Sequence, residues 1–254
     1  MGPVSRDRLL LAATLAAAVL LCWAWLVPAA RDMYGSMTGV SAWMAAGSWN
    51  LTHVALLFTM WVVMMVGMML PSATPTLLLY AAVVRSHDGT HVKARTYAFA
   101  GGYLLVWCGF SVVATALQRL LSASLLLSPM MELRSRAVGG ALLLAAGLYQ
   151  ITPAKRTCLA SCRAPAAFIA RHWRQGNRGA LRMGVIHGIY CLGCCWALML
   201  LLFAGGVMNL YLIAAITIFI LVEKLAPLAW QAGRLSGGLL MALGVWMLLT
   251  RGLG

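Results

Sequence analysis

Three cysteines fall within five residues of the segment HGIYCLGCCWALML, whose other residues are largely apolar. On a helix with about 100° per residue, Cys191, Cys194 and Cys195 lie on one face. His187, one turn earlier, joins that face. Thiolate and imidazole groups together suit Cu(I) or Zn(II). Because His187 and Cys195 are about 12 Å apart along a helix axis, other helices must supply ligands or more than one site must exist. Cysteines that only pack in the core are the alternative.

A second cysteine pair occurs in TCLASCR, where Cys158 and Cys162 have the i, i+4 spacing of one helical turn. The pair lies in the basic stretch 153–182, beside Lys155 and Arg156, which we expect to be cytoplasmic. Such a setting suits metal capture or thiol exchange. Two incidental loop cysteines are the alternative, because this spacing is less diagnostic than a doubled CxxC.

Methionines are concentrated in MWVVMMVGMML, where Met60, Met64 and Met68 follow one another at steps of four. Met65 and Met69 form a second row. Thioethers are neutral ligands that prefer Cu(I). The pattern therefore indicates a soft-metal path, although methionine is also ordinary apolar filling.

Two adjacent charges occur in FILVEKLAP, at or near the end of an apolar segment. Charges at membrane depth are costly and are usually functional or paired. Glu223 is therefore a candidate metal ligand or proton acceptor, with Lys224 beside it. If both residues lie at the interface instead, they are ordinary flanking charges.

The composition indicates an all-α, polytopic membrane protein with a single domain over residues 1–254. Hydrophobic residues make up 63% of the chain and charged residues 9%, with a mean hydropathy of +0.89, whereas soluble domains carry about 25% charged residues. The net charge of +14 lies in short breaks between apolar runs. This placement is typical of membrane proteins, so we reject nucleic acid as a partner.

A transmembrane helical bundle of six or seven spans is predicted from runs of about 20 apolar residues. The fourth run is short and glycine-rich. If the seven runs cross the membrane in turn, most Lys and Arg residues lie in segments on the same side of the membrane as the N-terminus. This distribution predicts a cytoplasmic N-terminus and a C-terminus on the opposite side. The seven runs are approximately 9–28, 52–70, 96–118, 137–152, 183–204, 207–226 and 235–250.

Two prolines predict that the second span is broken. In MMLPSATPTL, Pro71 and Pro75 each lack a backbone donor and disfavour a continuous helix. Broken helices line binding sites in many transporters, because their freed carbonyls must face protein or water. Alternatively, the span ends at Pro71 and the remainder lies at the interface.

Three blocks of the sequence resemble a bacterial family described as predicted metal-binding integral membrane protein (domain of unknown function 2182). They are WVVMMVGMMLPSATP, GLYQITPAKRTCLASCRAP and HGIYCLGCCWALMLLLFAGGVMNLY, the last followed by EK, and the resemblance covers roughly residues 50–250. It implies a protein of the bacterial cytoplasmic (inner) membrane. The positions it highlights are Met64, Met68, Met69, Pro71, Pro75, Cys158, Cys162, Cys191, Cys194, Cys195, Asn209, Glu223 and Lys224.

We expect a membrane protein that handles Cu(I), by transport or by chaperone-like delivery to a metal-accepting partner protein, with Zn(II) as the other candidate ion. One alternative is a membrane thiol–disulfide oxidoreductase with Cys191 and Cys194 as its redox pair. Another is a non-catalytic scaffold in the lipid bilayer. The sequence has no Walker A, dinucleotide or HExxH motif, which excludes a pump driven by its own ATP hydrolysis. We therefore expect a non-enzymatic function.

Overall fold

The computed structural model confirms the predicted all-α class. It describes residues 3–45, 49–87, 89, 91–128, 131–226 and 229–250. Within these ranges the chain forms ten helices and one isolated β-bridge, between Leu127 and Leu133. The helices are α1 (Pro3–Met33), α2 (Val40–Ala45), α3 (Leu51–His87), α4 (Val92–Ala123), α5 (Arg136–Gln150), α6 (Pro153–Arg163), α7 (Pro165–His172), α8 (Gly176–Gly205), α9 (Leu210–Leu225) and α10 (Ala229–Leu249).

Five helices in the described part of the chain are long and apolar enough to cross a membrane. A sixth candidate is the pair α5 and α6, which together pass the same test but meet at a bend of 62°. The predicted sixth run, 207–226, corresponds to α9, which has only 16 residues. Five or six spans are therefore supported, and seven stays a prediction. The five are α3, α4, α8, Arg8–Met33 of α1 and Gln231–Leu249 of α10.

The predicted break in the second span is wrong, because α3 continues through both prolines for 37 residues. Pro71 cannot donate to the carbonyl of Gly67, four residues earlier. That oxygen instead accepts a hydrogen bond from the indole Nε1 of Trp23, at 3.3 Å. A side-chain donor from α1 therefore replaces the bond that Pro71 removes, and the helix does not have to end there.

Helices α4 and α8 approach each other closely through glycine. A methyl group at Gly184 would come within 1.9 Å of the Phe99 carbonyl oxygen, and one at Gly102 within 2.1 Å of the Leu181 carbonyl oxygen. Small residues allow two helix backbones to touch in this way. The contact brings Tyr103 of α4 to the cysteine-bearing face of α8.

The bend between α5 and α6 has a local cause. The side chain of Thr152 accepts a hydrogen bond from the Lys155 backbone N–H at 3.3 Å and caps α6. Pro153 occupies the first turn, where no backbone donor is needed. The bend turns α6 back against α8. Cys158 and Cys162 therefore lie on a helix packed against the bundle, and the alternative of loop cysteines is wrong.

Candidate metal centre

Sulfur atoms from three helices converge inside the bundle. Cys191, Cys194 and Cys195 of α8 are all buried, with at most 2% of each residue exposed. The thiol of Cys162, from α6, is close enough to the thiols of Cys191 and Cys194 to interact with both. On the α3 side, Cys195 Sγ lies 3.9 Å from Met69 Sδ. We call these four thiols and one thioether the sulfur cluster.

Two of these thiols donate to the backbone of their own helix. Cys194 Sγ donates to the Cys191 carbonyl at 3.0 Å, and Cys195 Sγ donates to the same oxygen at 2.9 Å. Bonds to a carbonyl three or four residues earlier are common for short polar side chains in helices. Both sulfurs are thereby held on the face that carries Cys191.

Cys191 is the member of the sulfur cluster with charged and hydroxyl neighbours. Its Sγ accepts a hydrogen bond from Lys224 Nζ at 2.9 Å and lies 3.1 Å from the Tyr103 hydroxyl. Lys224 also donates to Ser72 Oγ at 2.9 Å, and Tyr103 donates to the Met69 carbonyl at 3.0 Å. A buried ammonium therefore contacts a cluster thiol. The resemblance highlighted Lys224, whereas Ser72 and Tyr103 were missed, because a lone serine or tyrosine in an apolar run carries no signal.

Glu223 faces a different neighbour from Lys224. Its two carboxylate oxygens accept hydrogen bonds from Lys155 Nζ at 2.8 and 2.7 Å, and both side chains are only 2% exposed. Lys155 also donates to Gln150. The sequence placed Lys155 among the basic residues of a cytoplasmic stretch. The turn of α6 toward the bundle buries its side chain, and the cytoplasmic placement stays a prediction. The ion pair joins α6 to α9. A role of Glu223 as ligand or proton acceptor stays a prediction.

Cys158 lies at the edge of the sulfur cluster. It is partly exposed, and its Sγ packs against Gly193 of α8, where a methyl group would come within 2.7 Å of the sulfur. Gly193 directly precedes Cys194 in the chain. The predicted pair Cys158 and Cys162 therefore lies beside the three cysteines of α8.

His187 is buried among aromatic rings. Among the described residues it forms no hydrogen bond with a thiol. The ring centroids of Tyr103 and Phe168 lie 5.7 and 5.0 Å from its own. Its Nδ1 atom has no hydrogen-bond partner among the described residues. An unsatisfied buried nitrogen costs about 1–3 kcal/mol, so this atom is open to a ligand or a local rearrangement.

The remaining predicted methionines are core residues of α3. Met60, Met64, Met65 and Met68 are fully buried. They precede Met69 along α3, in the two rows that the helical spacing predicts. In the described part of the chain, no group of three or more His, Cys, Asp or Glu side chains is already arranged to hold a metal ion.

A family model described as "PpoB2: Copper chaperone" matches residues 58–247 of this chain. The match covers almost the same range as the resemblance seen in the sequence, and it confirms a copper-related family. No curated protein and no solved structure matches the chain.

Proposed function

Because this chain belongs to the PpoB2 copper chaperone family, we propose that it binds Cu(I) at the sulfur cluster and delivers the ion to a metal-accepting partner protein. The observation that carries the proposal is the convergence of four thiols and the Met69 thioether from three helices. Soft thiolate and thioether ligands favour Cu(I), zinc and iron–sulfur clusters, and the family match favours copper among these. Copper is here the cargo rather than a resident cofactor.

Cu(I) suits the cluster because it accepts low coordination numbers, so a preformed shell of three ligands is not required. In this proposal Cys191 and Cys162 or Cys194 bind the ion, and the Met69 thioether is a further neutral ligand. Cys195 lies beside Met69 as an exchange ligand. His187 Nδ1, which lacks a hydrogen-bond partner among the described residues, is available to the ion as it moves.

Lys224 supports the choice of Cu(I) over Zn(II). A Cu(I) ion held by two thiolates carries one net negative charge, which is costly in a low-dielectric interior. The ammonium of Lys224, 2.9 Å from Cys191 Sγ, balances that charge. Zn(II) held by the same two thiolates would be neutral, so the ammonium of Lys224 would have no negative charge to balance.

The path of the ion follows from the same arrangement. Cys158 is partly exposed at the edge of the cluster and receives or releases the ion. Met64 and Met68, buried on the same helix as Met69, would offer further thioethers along the path. Weak thioether ligands let an ion move on, which suits delivery. Glu223 holds α6 in place through Lys155, so Cys162 stays close to Cys191.

We place the protein in the bacterial cytoplasmic membrane as a single multi-pass domain with a cytoplasmic N-terminus. The apolar helices support insertion, and the distribution of Lys and Arg supports the orientation. The sulfur cluster would then be reached from the cytoplasmic side, where the basic helices α6 and α7 lie.

A second candidate function is thiol–disulfide exchange. It is favoured by the contact of the Cys162 thiol with both Cys191 and Cys194, because a disulfide needs two sulfurs at close range. This function requires redox cycling without metal. The Met69 contact and the Lys224 counter-charge are not needed for it, so copper handling accounts for more of the site.

The deciding experiment is the copper content of the protein, purified in detergent under anaerobic reducing conditions and loaded with Cu(I). Elemental mass spectrometry should find near-stoichiometric copper in the wild type. The variant with serine at Cys162, Cys191, Cys194 and Cys195 should lose it. The matched control replaces Cys22 and Cys108, two free cysteines outside the cluster, and should retain copper. Copper absent from the wild type, or retained by the cluster variant, would overturn the proposal.

A further inference from the structure

A closed ring of polar contacts lies beside the sulfur cluster and joins four helices. The Met69 carbonyl of α3 accepts a hydrogen bond from the hydroxyl of Ser72, on the same helix, at 2.8 Å and another from the hydroxyl of Tyr103, on α4, at 3.0 Å. Lys224 of α9 donates to Ser72 Oγ and to Cys191 Sγ of α8, both at 2.9 Å. The Tyr103 hydroxyl lies 3.1 Å from the same sulfur and closes the ring. Two members of the ring, Met69 and Cys191, are ligands in the proposed copper site.

The hydrogen atoms available to this ring decide which group donates in each contact. A hydroxyl has a single hydrogen to donate, and an ammonium can only donate. Ser72 gives its hydrogen to the Met69 carbonyl and accepts one from Lys224, so both of its contacts are satisfied. Tyr103 gives its hydrogen to the same carbonyl and therefore faces Cys191 Sγ as an acceptor. The hydrogen in that contact must come from the Cys191 thiol.

In the proposed function, copper binding removes that hydrogen. The ion takes its place on Cys191 Sγ, and the proton leaves to the surrounding solution. The Tyr103 oxygen and the sulfur would then be two acceptors 3.1 Å apart. Rotation about the C–O bond of Tyr103 redirects its hydrogen from the Met69 carbonyl to the sulfur, and a hydrogen bond to a charged acceptor is stronger than one between neutral groups. The carbonyl keeps its hydrogen bond from Ser72.

We infer that Tyr103 is a positioning residue of the copper site, whose hydroxyl turns from the Met69 carbonyl to Cys191 Sγ when copper binds and then holds the copper-bound sulfur. The inference rests on the proposed function, because it needs copper at Cys191. Tyr103 is fully buried, so water does not compete for the hydroxyl. Its part differs from that of Lys224, since the ammonium balances the charge of the site whereas the neutral hydroxyl fixes the direction of one ligand.

The test compares Tyr103→Phe with the wild type, both as the full chain in detergent under anaerobic reducing conditions. Competition with a chromogenic chelator should show a Cu(I) affinity about 10- to 100-fold lower, the range typical of residues that orient a metal ligand. In stopped-flow transfer to excess chelator, the loss should appear as faster release of copper. The near-ultraviolet absorption of the Cu(I)–thiolate should move to longer wavelength, because a hydrogen bond to the sulfur lowers the energy of its lone pairs.

The matched control is Tyr80→Phe, which makes the same change at a buried tyrosine of α3 that packs against Phe99. It should keep the wild-type affinity and absorption. If Tyr103→Phe is not monodisperse, 4-fluorophenylalanine at position 103 takes its place with the same expected results, because it fills the space of the hydroxyl but cannot donate.

The outcomes separate this inference from the proposed function. A wild-type affinity in Tyr103→Phe would overturn the inference and leave the proposed function intact. A lower affinity with an unshifted absorption would also overturn the inference, since a general loosening of the site lowers affinity without a change at the sulfur. A wild type that binds no copper would instead overturn the proposed function, and the inference with it.

Discussion

The buried ion pair between Lys155 and Glu223 gives a quantitative prediction. Lys155 Nζ lies 2.7 Å from the nearer carboxylate oxygen, and both side chains are 2% exposed. The change Glu223→Gln preserves the size of the side chain but removes the counter-charge of the buried ammonium. Removing one partner of a buried pair costs about 3–5 kcal/mol. We therefore expect the free energy of unfolding to fall by about that amount.

Replacing both partners should behave differently. In Lys155→Met/Glu223→Leu no charge remains buried, and apolar replacement of a buried pair is often neutral or stabilising. The double variant should therefore be more stable than Glu223→Gln alone, although it carries one more substitution. A double variant more stable than the single one would indicate an uncompensated charge in Glu223→Gln, because a packing defect would grow with a second substitution.

The assay is equilibrium unfolding in mixed dodecylmaltoside and SDS micelles, followed by tryptophan fluorescence. The control is Glu132→Gln, whose carboxylate accepts a hydrogen bond from the exposed Tyr34 hydroxyl. Exposed polar contacts contribute little, so the control should change the unfolding free energy by less than about 1 kcal/mol. A similarly small change for Glu223→Gln, or a double variant no more stable than the single one, would refute the reasoning.

Three further predictions address the site and the fold. Lys224→Gln should weaken Cu(I) binding about 10- to 100-fold, as measured in competition with a chromogenic chelator. An unchanged affinity would contradict the proposal that Lys224 balances the charge of the copper site. Gly184→Ala should lower the free energy of unfolding by about 1–3 kcal/mol, because the methyl group would overlap the Phe99 carbonyl oxygen. Gly101→Ala, with nothing within 4 Å of the methyl position, should be neutral in the same unfolding assay. Trp23→Phe should cost about 1 kcal/mol through the lost indole hydrogen bond. That cost should shrink in a Pro71→Ala background, where the backbone can donate instead, and an equal cost in both backgrounds would contradict the account of α3.

The helices and the shared face of the cysteines could be predicted because both depend on local properties. A run of apolar residues is long enough to form a spanning helix whatever surrounds it. Helical periodicity alone places Cys191, Cys194 and Cys195 together. In the structure the three are buried, and Cys194 and Cys195 donate to the same carbonyl.

What could not be predicted depends on contacts between distant segments. Cys162 reaches the cluster because α6 turns back at Thr152, and the sequence shows the cap but not the direction of the turn. The predicted break at Pro71 failed because the rule for proline considers only the backbone of its own helix. The donor that compensates, Trp23, comes from another helix 44 residues from Gly67.

The order of the two charges on α9 follows from helix geometry and leads to the last prediction. Consecutive helical residues point about 100° apart, so Glu223 reaches Lys155 on α6 while Lys224 reaches Cys191 on α8. Exchanging them, Glu223→Lys with Lys224→Glu, keeps the composition and net charge of the chain. It would place an ammonium against Lys155 and a carboxylate against the thiol of Cys191.

Like charges would then meet in the interior on one side, and the copper site would lose its balancing charge on the other. We expect the exchanged protein to be less stable than Glu223→Gln and to bind Cu(I) more weakly than Lys224→Gln, in the same two assays. Because composition is constant, only the positions of the charges can produce this result. Wild-type stability together with wild-type copper affinity would mean that neither charge acts through the neighbour it contacts.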